Sequence, residues 1–538
     1  MKTLAVLALF FIHFATFAQT EDAWVYFNSK PDSQQYLNNP LTMLTQRSLD
    51  RRVAQNIALD FNDIPVSQSY IDQVEAASGI SVMAKSKWLN ALHIRGSIAQ
   101  INALTSFPFV SRVDFADKSL NLPSKNTTPQ TMSSVNKTME TTSDFNYGNS
   151  LNQIQMLNGQ VLHQQNYTGS GKIIAVMDGG FPAVNTIAPF ARLRDNNQIL
   201  GGYDYVNRNE NFYTGISHGT LVLSTMGGYS DGQLVGTAPD ASYYLFITED
   251  GNNEGPLEES LWVEAAEEAD RLGVDVITTS LGYSTFDNLN YSHTYADMNG
   301  TTTFSARGLD IAFSRGMICV VSAGNEGNKP WHYITTPSDA LYALTIGAVK
   351  ADRDFAAFSS YGPSSDGRVK PDVAAQGQAA VVSNTTGSIV TANGTSFSGP
   401  IMAGMVASLW QALPEKTNSE IVQLIKESAS IYNNPNDQIG YGIPDFSAAL
   451  NAALSVDQLQ KAQFLVYPNP ANSTVSIAFP AGFETANIVL YDTLGHKVMQ
   501  QQITAQTANI NVGNLNSGVY FYQIESNGNI QKGKLIRK

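Results

Sequence analysis

The chain has 538 residues, 43% of them hydrophobic, which allows roughly two to four domains with sizeable buried cores. A net charge of −14 argues against nucleic-acid binding, because displacing counterions from phosphates needs a basic surface. Cys319 is the only cysteine, which excludes an intramolecular disulfide and leaves the cores to supply the stability.

Residues 1–18 read as a signal peptide. Lys2 supplies the positive start, Leu4 to Phe17 is mostly apolar, and Thr16 and Ala18 are small enough for cleavage before Gln19. The apolar run is short for a bilayer crossing and no later stretch is long enough, so export is expected. Residues 19–120 predict a small α+β unit, with strands at Trp24–Phe27 and Phe109–Phe115 and a helix over Ser97–Leu104. Residues 121–146 are rich in Ser, Thr and Asn with almost no apolar clusters, the composition of an exposed linker.

From 147 to 455 the pattern becomes α/β, predicting a mostly parallel sheet flanked by helices. Short apolar runs at Ile173–Met177, Tyr243–Ile247, Val274–Thr278, Met317–Val321 and Leu344–Val349 suit strands buried on both faces. The clearest helix is Leu257–Leu272, with Leu257, Leu261, Ala265 and Ala269 four apart and six acidic residues elsewhere on it. The acidic cluster Glu249, Asp250, Glu254, Glu258 and Glu259 reads as a solvated face, with attraction of basic substrates or a cation as the alternative. Residues 463–538 predict a small β-sandwich, from Thr474–Phe479, Asn487–Tyr491 and Val519–Ile524 with Gly- and Asn-bearing turns.

Three segments of the α/β region carry chemistry. Asp178 closes the strand Ala175-Val-Met-Asp178 ahead of two glycines, at the end of a parallel sheet where active sites lie. His218 opens a helical run in Ser217-His218-Gly219-Thr220. Ser396 lies in Gly394-Thr395-Ser396-Phe397-Ser398, and Pro400 suits a first helical turn, placing Ser396 at a helix N-terminus that favours negative charge. Taken singly, the three also read as a turn or helix cap, a surface or core histidine, and an N-cap.

Together, in the order Asp, His, Ser, they resemble the subtilisin-like serine peptidases, or subtilases. Val235-Gly-Thr-Ala-Pro239, Thr279-Ser-Leu-Gly282, Ser322-Ala-Gly-Asn-Glu-Gly327, Phe358-Ser-Ser-Tyr-Gly-Pro363 and Gly440-Tyr-Gly-Ile-Pro444 extend the likeness through most of residues 147–454. The resemblance implies a secreted serine endopeptidase in which Ser396 is nucleophile, His218 base, Asp178 its orienting partner and Asn325 an oxyanion donor. It also implies that Ser280, Leu281 and Gly282 form an edge for substrate backbone, opposite a wall of Ala323 and Gly324, with broad specificity. Departures from the family pattern stand at Gly180, Leu221, Gln376 and Ser398; none removes a proton-transfer group. Cys319, in an apolar strand, reads as an inert core residue. No cofactor is expected for catalysis; structural calcium is common in such proteins, but no ligands are assigned.

The unit at 19–120 resembles the propeptides of this family, which act as intramolecular inhibitors. The C-terminal region, through Tyr467-Pro-Asn-Pro470, Leu494-Gly495 and Leu515-Asn-Ser-Gly-Val-Tyr520, resembles the sorting domains of type IX secretion. The partners so implied are protein or peptide substrates, the chain's own propeptide and a secretion machinery delivering it to the exterior or cell surface. Two rival functions stay open at this point: an inactive surface-binding relative, and a hydrolase dedicated to one substrate.

Overall fold

The computed structural model describes residues 20–121, 145–460, 464–480, 483–526 and 529–538. The predicted signal peptide and almost all of the predicted linker lie outside the described residues. Two compact units emerge, the first ending at Ala449 and the second running from Leu450 to Lys538.

In the first unit, four antiparallel strands, β1 (Thr20–Phe27), β2 (Ser81–Ser86), β3 (Ala91–Ser97) and β4 (Val110–Phe115), pair in the order β2-β3-β1-β4. Strand alternation sorts the side chains of β1 onto two faces. Ala23, Val25 and Phe27 pack with Ile71 and Val74 of the helix Gln68–Glu75 and with Ile101 and Leu104 as a core of their own. Tyr26, on the other face, joins Ala84, Trp88 and Ala91 against Leu261, Trp262, Ala265 and Ala269. Those four belong to the helix predicted at Leu257–Leu272, which spans Pro256–Leu272 and is closed by Gly273 in the left-handed conformation. Residues 20–121 thus form a small α+β body seated on a helix of the larger α/β body.

That larger body is built on seven parallel strands: β5 (Ile173–Asp178), β6 (Ile199–Asp204), β7 (Ser242–Ile247), β8 (Val276–Thr279), β9 (Ile318–Ser322), β10 (Leu344–Val349) and β11 (Val373–Gln376). Their order is β11-β10-β9-β8-β5-β7-β6. Four helices bear on the site: α1 (His218–Gly227), α2 (Pro256–Leu272), α3 (Phe304–Ser314) and α4 (Thr395–Ala412). β5, β9 and β10 are buried at every position, which is why they read as unbroken apolar runs.

Four of the six acidic residues of α2, Glu258, Glu259, Glu267 and Asp270, do not face water. Glu267 accepts hydrogen bonds from Ser86 Oγ (2.7 Å) and the Trp88 N–H (2.9 Å), both in the N-terminal body. Asp270 is fully buried against Arg51 (2.6 Å) and Arg52 (2.8 Å). Glu258 folds back on the Gly255 N–H (3.0 Å) at the start of α2, and Glu259 reaches His293 (2.7 Å) and the Ser305 N–H (2.9 Å). The solvated-face reading therefore fails for Glu258 and Glu259, because the loop before α2 meets Glu258, and His293 and Ser305 meet Glu259. Burial, reinforced by Glu249, pushes the Glu258 carboxyl far above the usual range. Glu254, by contrast, is exposed.

The second unit carries two antiparallel sheets, one of three strands and one of four. Phe464, Val475, Ile477, Ile488, Leu490 and Ile524 fill the core between them, giving the small β domain expected.

Candidate active site

Register brings the candidates to one end of the sheet. Thr279 of β8 lies opposite Met177 of β5 and Val321 of β9, so Asp178, Ser280 and Ala323 leave three adjacent strands side by side. Parallel strands direct all three ends the same way, which creates the crevice. α1 and α4 begin there too, placing His218 and Ser396 at helix N-termini.

Asp178 is completely buried and accepts the Gly179 N–H at 2.8 Å. Its two carboxylate oxygens lie 2.9 and 3.0 Å from His218 Nδ1, which fixes the proton on that nitrogen and leaves Nε2 as the basic one. Gly219 makes this approach feasible: a Cβ there would stand 2.5 Å from Gly180 O and 2.9 Å from Asp178 Cβ. Burial opposes protonation of His218, but the charge and hydrogen bond of Asp178, with a contribution from Glu249, raise its pKa above the ordinary histidine value.

Ser396 is the second residue of α4, which begins five residues before Pro400. The expectation that Pro400 marks the first turn is therefore corrected: it lies inside the helix. Lacking an N–H, Pro400 leaves the carbonyl one turn earlier without its helical donor. That carbonyl is Ser396 O, and Ser280 Oγ donates to it at 3.0 Å. Ser396 Oγ returns a 3.3 Å hydrogen bond to Ser280 O, and no hydrogen bond joins it to His218 in this state. Ser280 thus contacts the candidate nucleophile at both oxygens.

Asn325 Oδ1 accepts from the Thr395 N–H (2.9 Å) and Thr395 Oγ1 (3.2 Å), which leaves its NH2 group free of these bonds. Thr395 Oγ1 also donates to Gly324 O (3.1 Å) and accepts the Gly324 N–H (3.2 Å). Thr395 was not singled out from sequence, although it adjoins Ser396; it ties the Gly324–Asn325 segment to the helix. Leu281 and Gly282 make no backbone hydrogen bond among the described residues, leaving that edge open, while Ala323 is buried. Glu249 is a second omission as a neighbour of the site. Tyr283 donates to it at 2.6 Å, and burial pushes its carboxyl well above the usual range.

The profile of the subtilase family matches residues 169–442. The chain belongs to the subtilase family. This subtilase also carries a peptidase S8 propeptide domain of the Bacteroidota type over residues 22–134 and a secretion system C-terminal sorting domain over residues 465–538. It is 29% identical over 328 residues to serine protease AprX of Bacillus subtilis, covering 56% of this chain and 68% of that protein. Subtilisin E of the same species is 29% identical over 299 residues, 55% of this chain and 70% of the relative. Among solved structures, MycP1 from Mycobacterium smegmatis covers 59% of this chain and 88% of its own at 22% identity, with a TM-score of 0.43. The subtilase is a serine-type endopeptidase made with a propeptide and a sorting domain for secretion. No helix among the described residues is long and apolar enough to cross a membrane.

Of the departures from the family pattern, Gln376 bonds Asn152 (2.7 Å) and Ser398 Oγ bonds Thr395 O (3.2 Å), away from His218. Cys319 is buried, and burial pushes its thiol far above the range for reactivity. No group of three or more His, Cys, Asp or Glu side chains among the described residues is placed to hold a metal ion.

Proposed function

We propose that Asp178, His218 and Ser396 form the catalytic triad of a self-processing, exported endopeptidase. The observation that carries this reading is the 2.9 Å contact between the buried Asp178 and His218, at the crevice that also holds the N-terminus of the Ser396 helix. Substrate backbone pairs with the Ser280–Gly282 edge. Ser396 Oγ then turns from Ser280 O toward His218 Nε2, gives up its proton and attacks the carbonyl carbon. The tetrahedral oxyanion takes hydrogen bonds from the Asn325 amide and from the Ser396 N–H, which the helix leaves without an internal partner. His218 returns the proton to the leaving amine, forming an acyl-enzyme. Water, deprotonated by His218, releases the acid.

Every group in this sequence belongs to the chain, and the proposal needs no cofactor. The N-terminal body is the intramolecular inhibitor, and the polar segment at 121–146 is where the chain is cut. The C-terminal domain directs passage from the periplasm across the outer membrane by the type IX route, to the medium or the cell surface.

Processing of the full-length precursor tests the proposal. Wild type separates a fragment of about 11 kDa, the share of the 58.3 kDa chain held by residues 19–120, whereas Ser396→Ala stays intact. Separation that persists in purified Ser396→Ala would overturn it.

A further inference from the structure

The floor between the two walls of the substrate crevice is the segment Ile334–Thr336. It is stitched to one wall by reciprocal Tyr283–Thr336 backbone hydrogen bonds (2.7 and 3.1 Å), and to the other by Ile334 N–H on Tyr361 O (3.1 Å). Ser360, beside Tyr361, donates its N–H to Gly324 O at 2.9 Å. Gly282 and Gly324 are therefore held facing this floor, and the side chain that rises between them is Thr335.

Two distances show how far it rises. A Cβ built on Gly282 would stand 2.2 Å from Thr335 Oγ1, and one on Gly324 would stand 3.2 Å from the same oxygen and 2.8 Å from Ser360 Oγ. The space between the glycines is thus occupied by a hydroxyl. Thr335 is only 4% exposed, and its Oγ1 is buried without a hydrogen-bond partner. A buried hydroxyl can donate one hydrogen bond and accept others, and leaving it unpaired is unfavourable. Glu326, two residues past Gly324, is turned to Lys329 (2.7 Å), and its N–H bonds Ser360 Oγ (3.0 Å).

We propose that Thr335 is a specificity-determining residue: it shortens the pocket for the side chain preceding the scissile bond and selects a small, uncharged, hydrogen-bonding residue there, serine above all. The inference rests on the triad reading for the location of the cut. It replaces the broad specificity expected from the glycines alone, because those glycines accommodate Thr335 and leave little depth for a large side chain. A serine hydroxyl gives Thr335 Oγ1 its missing partner; an alanine fits but leaves it unpaired; a phenylalanine collides with it.

The test is a library of peptides varied at the residue before the cut, assayed with the self-processed protein, alongside fluorophosphonate labelling of Ser396. Wild type is expected to cleave after serine roughly tenfold better in kcat/KM than after alanine, the size of one satisfied buried hydrogen bond, with phenylalanine weaker still. Thr335→Val keeps the shape and loses the hydroxyl, so the serine-over-alanine preference falls toward one while phenylalanine stays excluded. Thr335→Gly deepens the pocket and shifts preference to large apolar residues. Thr335→Ser retains the wild-type serine preference. A labelled wild-type enzyme that prefers phenylalanine or leucine, or a Thr335→Val profile identical to wild type, overturns the inference and leaves the triad standing. Failure of Ser396 to label overturns the triad reading itself.

Discussion

In the proposed triad His218 acts as a base only when neutral, so the Asp178 interaction that raises its pKa also sets the acid limb of activity. Activity falls as pH drops through that raised value. Asp178→Asn removes the charge and disturbs the tautomer: kcat is expected to fall about 10^4-fold, with the acid limb moving to lower pH. A pH–rate profile of the residual activity checks this; an unshifted limb would assign the titration to another group. Asn325 acts differently in this proposal, because its amide meets charge that exists only in the transition state. Asn325→Ala is expected to lower kcat by about 10^2–10^3 with little change in KM. Thr395 is a positioning residue. Thr395→Val loses the hydroxyl links to Gly324 and Asn325 and lowers kcat, and Thr395→Ser restores it; a loss that serine does not restore would point to a general packing role.

At the scale of elements, α2 is where two bodies meet. Sequence pattern located it within one residue at its start, since Leu261, Ala265 and Ala269 mark the buried stripe. Pattern did not reveal that Glu267 and Asp270 are buried as well, because their partners Ser86, Trp88, Arg51 and Arg52 lie about two hundred residues away. Asp270 is held below its ordinary pKa: burial opposes ionisation, and the charges of Lys87, Arg52 and Arg51 outweigh it. Arg52→Ala strips one partner from Asp270 and from Asp63, both fully buried. The precursor is expected to lose about 3–5 kcal/mol, the usual cost of a buried charge deprived of its partner. Thermal unfolding of the Ser396→Ala precursor measures this, and the same substitution cannot affect the enzyme once the N-terminal body has left. Equal melting of the two precursors would show that the charge cluster adds nothing to docking.

Across the whole molecule, the parts legible in the sequence were those with an unbroken local signature. β5, β9 and β10 are buried on both faces and read as apolar runs; Asp178, His218, Ser396 and Asn325 lie in contiguous motifs. β6 escaped because Gly201 and Gly202 interrupt it, and β11 because it has only four residues, Val373–Gln376, after Pro371. Pro400 misled because its role is tertiary: the carbonyl it frees is met by Ser280, 116 positions away. Thr335 was silent for the same reason, its environment being made by two distant glycines.

A second buried cluster holds the far edge of the sheet. Asp372 bonds Lys370 (2.7 Å), contacts Lys426 and accepts the Thr345 N–H (2.9 Å), joining β11 to β10. Burial opposes its ionisation, but the two lysines depress its pKa far below the ordinary value. Its stabilising contribution is therefore present above about pH 4, the unfolded aspartate range, and is lost as pH falls through the lower folded value. Asp372→Asn is expected to lower the melting temperature at neutral pH and to flatten its decline in acid; unchanged acid sensitivity would shift that role to other carboxylates.

The central claim is that Ser396 is activated by His218 and Asp178. Fluorophosphonate labelling of the processed protein, with the adduct located by mass spectrometry, tests it most directly. One adduct on Ser396 is expected, forming faster as pH rises through the His218 pKa and absent from His218→Ala on the same timescale. An adduct on another serine, or a rate on Ser396 that survives loss of His218, would contradict the account.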